Sequence, residues 1–201
     1  MNRIAVFILM VLCALVFSCQ RQNKGNKLTE EELINLAMQQ GDLISENTQK
    51  VLGARLKEVI QDKGIPQALT YCNLNAYPLV DSLEYIYKAG IRRASLKTRN
   101  PEDAPHKREE KIINEYLNEI QEGETPAAKV VLQNDKVYYY RPIILSAQLC
   151  LNCHGNVGTD IEEENYKIIK ALYIDDKATG HKMGDLRGIW SITFDKGSLG
   201  K

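Results

Sequence analysis

Residues 127–143 read Ala-Ala-Lys-Val-Val-Leu-Gln-Asn-Asp-Lys-Val-Tyr-Tyr-Tyr-Arg-Pro-Ile. Two runs rich in β-branched and aromatic residues, Ala127 to Gln133 and Val137 to Ile143, flank the turn-forming Asn134-Asp135-Lys136. The pattern predicts an antiparallel hairpin. Tyr138, Tyr139 and Tyr140 alternate across its second strand, so at least one of them is expected to face outward. A first strand is expected over Ile91 to Leu96. A closing strand is expected over Leu186 to Phe194, carrying Ile189, Trp190, Ile192 and Phe194.

Everything before the first strand reads as helix. Thr29-Glu-Glu-Glu32 is a capping box opening a helix on Leu33, Leu36 and Ala37. Gly41-Asp42 is expected to interrupt it. A second helix then runs to about Lys63, with Leu43, Val51, Leu52, Leu56, Val59 and Ile60 on its apolar stripe, and Gly64 ends it. Pro66 starts another, carrying Ala68, Leu69 and Cys72. Asn75-Ala76 and Pro78 predict a break before a last helix that ends at Gly90. Pro105 to about Ile120 is helical, with Ile112, Ile113, Tyr116, Leu117 and Ile120 inward. Glu162 to Leu172 is a short helix, and Asp175 to Asp185 a polar loop. Helices first and a small antiparallel sheet afterwards is an α+β pattern.

Directly after the hairpin comes Cys150-Leu-Asn-Cys-His154, in a segment opened by Ser146 and closed by Gly155. C-x-x-C-H is the attachment signature of a c-type haem. Two cysteines three apart share one face of a helical turn, so their sulfurs reach the two vinyl groups of one porphyrin. The next imidazole can then ligate the iron. Cys150 and Cys153 are therefore candidate thioether anchors, and His154 the proximal ligand. A redox disulfide is the next reading. A zinc site ranks below both, because the other histidines, His106 and His181, have no cysteine nearby in sequence.

The N-terminus agrees with export. Arg3 precedes an unbroken apolar run of fourteen residues, Ile4 to Phe17, short for a membrane span but suited to a signal peptide. Val16-Phe-Ser-Cys19 resembles a bacterial lipobox, so residues 1–18 are expected to be a lipoprotein signal peptide and Cys19 the lipidated residue. Residues 19–27 would form a polar tether and 28–201 one domain. Lipid on Cys19 would place the protein on a membrane, facing the periplasm or the outer-membrane surface.

Of 26 basic and 26 acidic residues, only Arg3 precedes Cys19, so the remainder carries a net charge of −1. No basic excess points to nucleic acid. Of five cysteines, Cys13 belongs to the leader, Cys19 takes lipid, and Cys150 and Cys153 take haem. Cys72 is left without a disulfide partner.

Several stretches resemble one family, bacterial c-type haem domains with a PAS-like fold, which occur as stand-alone exported proteins and as input modules of sensor kinases. They are Ala68-Leu-Thr-Tyr-Cys72, Arg93-Ala-Ser-Leu-Lys-Thr-Arg-Asn-Pro101 with Ala104-Pro105, Arg141-Pro142, Cys150 to Gly155, and Gly184-Asp-Leu-Arg-Gly188. The R-x-S-L-K-x-R-N-P stretch is the specific part. Glu102-Asp103 makes its continuation more acidic than is usual in the family. The resemblance implies a PAS-like antiparallel sheet holding one covalent haem, with a cysteine as second axial ligand. Carried onto this sequence, that ligand is Cys72, in keeping with the leftover thiol. Met183, His106 and His181 are its rivals. Arg93, Arg99 and Arg141 are candidates to pair with the haem propionates, since guanidinium forks match carboxylates.

The function expected is redox or gas sensing, or low-potential electron transfer, through a redox partner, a separate signalling protein or a diatomic gas. The alternatives are a plain electron-transfer cytochrome with Met183 or a histidine as sixth ligand, and a haem-free C-x-x-C thiol-redox protein. No distal acid–base pair can be assigned, so no enzyme is expected.

Overall fold

The computed structural model describes residues 28–199; the leader, Cys19 and the whole of the tether lie outside the described residues. The order is α1 (Glu30–Tyr87), β1 (Gly90–Ala94), a short 3-10 turn (Pro101–Asp103), α2 (Lys107–Gln121), β2 (Lys129–Gln133), β3 (Lys136–Ile144), α3 (Gln148–His154), α4 (Glu163–Leu172) and β4 (Leu186–Asp195). The four strands form one antiparallel sheet in the order β1-β4-β3-β2. The α+β architecture is therefore observed. Among the described residues no helix is both long and apolar enough to cross a membrane.

The capping box forms as expected. Glu32 N–H donates to Thr29 Oγ1 at 3.2 Å, and Thr29 N–H donates to the Glu32 carboxylate at 2.8 Å. The bonds that carboxylate accepts from Thr29 hold it below its usual pKa. The helix it opens differs from expectation. There is no break at Gly41-Asp42, and none at Asn75–Pro78; α1 runs 58 residues with its one non-helical position at Gly64 (φ 76°, ψ 179°).

Gly41 is there for closeness, not for a turn. A Cβ on it would lie 2.2 Å from the Tyr139 ring, so α1 rests directly on that ring. Pro78 removes one helical hydrogen bond, to the carbonyl of Leu74, whose turn is exposed, so water can serve the freed oxygen. Gly64 does act as expected: its positive φ bends the helix, and Pro66 restarts it with a preset φ.

Both faces of the sheet are covered. On one, α1 packs Leu33, Ala37 and Ile44 against Val137, Tyr139, Trp190 and Ile192. On the other, α2 packs Ile112, Ile113 and Tyr116 against Ala94, Tyr140 and Ile189. Tyr139 thus faces α1 while Tyr138 and Tyr140 face α2. Tyr139 and Tyr140 are fully buried; Tyr138 is the partly exposed one, and the Arg108 guanidinium sits 3.8 Å from its ring centre. A third cluster, Leu69, Ile161 and Ile169 with Cys153 against it, joins the second half of α1 to α4. It is this cluster that holds the C-x-x-C-H turn in place.

Gly41→Ala is expected to destabilise the protein by about 2 kcal/mol or more, because either helix or ring must move. Gly53→Ala, on the same helix with nothing within 4 Å of the added carbon, is expected to stabilise it by roughly 0.5–1 kcal/mol. Denaturant unfolding of the two variants reads the contrast.

Candidate functional site

Cys150, Cys153 and His154 lie on α3, a single seven-residue helix with Gly155 as its C-cap. Three hydrogen bonds lash this turn to the loop between α4 and β4. His181 N–H donates to the His154 carbonyl at 2.9 Å, and Gly180 N–H donates to the Gly155 carbonyl at 2.8 Å. The third joins His154 Nδ1 to the Ala178 carbonyl at 2.9 Å. A carbonyl only accepts, so Nδ1 carries the proton and Nε2 is left with its lone pair. Burial keeps His154 well below its usual pKa, and the Arg187 and Arg99 cations add to that. The ring is therefore neutral, its Nε2 free to ligate a metal. It keeps some accessible surface although protein packs densely round it, as a group lining a recess does.

Cys72 projects from the second half of α1 and is partly exposed. Burial raises its pKa, and the Arg93 and Arg99 cations oppose the rise. Burial also pushes the Cys153 thiol up to about 11; Arg99 opposes this, while Cys72 and Cys150 add to it. Cys153 therefore lies within electrostatic reach of both other thiols. Cys72, Cys150 and Cys153 are all free.

Arg99 is 11% exposed and does two jobs. Its Nε donates to Asp176 Oδ1 at 2.9 Å, and its Nη2 donates to the Cys153 carbonyl at 2.6 Å. Arg93 lies 3.6 Å from Asp103, whose other oxygen accepts from Tyr77 Oη at 2.7 Å. The acidic departure at Glu102-Asp103 thus supplies a buried counter-charge. Tyr77 is correspondingly held above its ordinary pKa, by burial and then by that bond. Asn100 caps the 3-10 turn through Glu102 N–H. Ser95 Oγ donates to the Arg187 carbonyl at 2.7 Å. The R-x-S-L-K-x-R-N-P stretch is thus a folded bracket between β1 and the C-x-x-C-H turn.

Arg141 does not join this group. It shares a register position with Trp190, but its guanidinium is held by Glu46 at 2.8 Å and Asp42 at 3.5 Å, under the first half of α1. His106 caps α2 and faces Arg92 and Glu109. Met183 is exposed in the polar loop. His181 is 4% exposed, its ring 6.4 Å from that of His154 and perpendicular to it, and its Nε2 has no hydrogen-bond partner.

Sequence reasoning missed Arg187. Its Nη1 donates to Ser95 Oγ at 2.8 Å and to the Lys97 carbonyl at 3.0 Å. Burial drives its pKa down to about 10, with Arg93 and Arg99 repelling it further. The signal available was its place in Gly184-Asp-Leu-Arg-Gly188, one of the stretches that carry the family resemblance.

The donor set fits a c-type haem: two thiols on one turn, an imidazole with its metal-binding nitrogen free, a third thiol within electrostatic reach, and guanidinium groups around them. Residues 24–194 match the Tll0287-like family. The chain is also similar to the crystal structure of the cyanobacterial haem protein Tll0287, with 27% identity over 59% of this chain and 70% of that one, and a TM-score of 0.49. None of the curated proteins compared matches it.

Two outcomes are expected. Arg99→Met leaves the fully buried Asp176 carboxylate without its cation and should cost about 3 kcal/mol; adding Asp176→Asn should recover most of that, as a double-mutant cycle by denaturant unfolding would read. In haem-free protein, Cys153 should alkylate roughly a hundredfold more slowly at neutral pH than an ordinary thiol, with the rate rising about tenfold per pH unit. The rise should level off near pH 11, which iodoacetamide labelling and mass spectrometry can follow.

Proposed function

This chain belongs to the Tll0287-like family, and we propose that it is an exported, membrane-tethered c-type haem protein that senses redox state or a diatomic gas, or carries electrons at low potential. The observation that carries the reading is the His154 ring, turned by the Ala178 carbonyl so that Nε2 is free, on the same helical turn as two thiols. When bound, the haem iron supplies one-electron chemistry and a coordination position that can open.

The residues divide the work. Cys150 and Cys153 would anchor the porphyrin as thioethers, and His154 would present Nε2 to the iron. Cys72 is our candidate for the second residue that would hold the iron. Its raised pKa makes it a neutral thiol in the haem-free chain, so ligation would release its proton. An anionic sulfur favours ferric over ferrous iron, hence a low potential. Arg93 and Arg99 would face the haem carboxylates. As a residue that would hold the iron more firmly in its ferric form, Cys72 would suit a redox sensor. Lipid on Cys19 would keep the domain at the membrane, within reach of a redox or signalling partner. The reading assigns no catalytic residue.

The test is an absorption spectrum with a redox titration on protein matured in a bacterial host competent for c-haem attachment. The haem should stay bound after denaturation, and be lost from Cys150→Ala/Cys153→Ala. Cys72→Ala should lose its low-spin ferric thiolate spectrum and raise its midpoint by on the order of 100 mV, within the roughly 0.8 V that axial ligands span. An unchanged ferric spectrum in that variant would exclude Cys72, and a colourless wild-type protein would exclude haem.

A further inference from the structure

Three guanidinium groups and two carboxylates gather beside the C-x-x-C-H turn. Asp103 faces Arg93, and Asp176 faces Arg99. Arg187 has only neutral acceptors among the described residues, and both take their hydrogen from Nη1. Its Nε and Nη2, the edge that binds a carboxylate through two parallel hydrogen bonds, have no protein acceptor among those residues. A largely buried cation facing two others is costly unless an anion meets it. The Arg93 and Arg99 charges depress its pKa more than Asp103 and Asp176 restore it, so the protein's own carboxylates leave the cluster short of negative charge.

A second observation points to the same place. His181, buried against the His154 ring, keeps an Nε2 with no hydrogen-bond partner among the described residues, while its Nδ1 lies 3.6 Å from an Asp185 carboxylate oxygen. Arg187 from β4 and His181 from the loop thus each leave a polar nitrogen unmatched beside one turn.

We infer that Arg187 is a carboxylate clamp for a haem propionate, separate from Arg93 and Arg99. The inference rests on the haem reading. It assigns Arg187 a positioning role: it would hold one carboxylate of the group and so limit how the group can sit beside the C-x-x-C-H turn. The anion also completes the fold, because it supplies the negative charge that Arg187 lacks.

Resonance Raman spectroscopy of the haem-loaded protein tests this, because the propionate-bending band follows hydrogen bonding to the carboxylates. Arg187→Met should shift that band, and Arg187→Lys should return it part-way. Attachment through Cys150 and Cys153 keeps the haem in both variants. Thermal unfolding supplies the second measurement. Without haem, Arg187→Met should unfold at a higher temperature than the parent, since a half-buried cation that faces Arg93 and Arg99 with no carboxylate of its own is gone. With haem attached, that advantage should vanish or reverse. A coloured Arg187→Met protein with the parental band, and the same stability difference with and without haem, overturns this inference alone. A colourless parent overturns the haem reading and this inference with it.

Discussion

The site depends on one hydrogen bond, from His154 Nδ1 to the carbonyl of Ala178. A free imidazole exchanges its proton between two nitrogens, and only one tautomer leaves Nε2 able to bind a metal. A backbone carbonyl, fixed by the loop it belongs to, removes the choice. Two parallel contacts, from Gly180 and His181 to the carbonyls of Gly155 and His154, keep that loop in place. Arg99 holds the same turn from the other side through the Cys153 carbonyl. The C-x-x-C-H peptide is therefore gripped through its main chain and one ring nitrogen, which leaves His154 Nε2 without a protein partner among the described residues.

The scaffold behind the turn is a sheet with no open face. Tyr139 beneath α1 and Tyr140 beneath α2 are equally buried, so the strands are locked from both sides. Polar groups inside this core are matched rather than excluded. Tyr139 Oη donates to Asp42, Tyr116 Oη to the Tyr140 carbonyl, and Trp190 Nε1 to Gln49. Each bond ties a helix to the sheet at a fixed height, giving directional contacts where apolar packing alone would tolerate sliding.

Much of this was legible in the sequence. The hairpin, the capping box, the helix over Glu163–Leu172 and the final strand follow from local pattern, and they stand within a residue or two of expectation. The breaks expected at Gly41 and Pro78 are absent because tertiary context overrides local preference. Gly41 is required by an aromatic ring nearly a hundred residues away, which no window of sequence displays. The same holds for the arginines. Arg93, Arg99 and Arg141 look alike in a motif, yet Glu46 and Asp42 claim Arg141. Arg187 gains its importance from neighbours that only folding brings near.

The bend at Gly64 has a consequence for how the chain tolerates change. A continuous helix transmits rotation, so each inserted or deleted residue turns everything downstream by about 100°. A position at φ 76° and ψ 179° lies outside that screw and resets it. Residues 30–63 answer to the sheet, while residues 65–87 carry Leu69 and Cys72 at the C-x-x-C-H end and return Val80 and Leu83 to the sheet core. The angular phase of the second half is therefore set by its own packing rather than by a count of residues ahead of the bend.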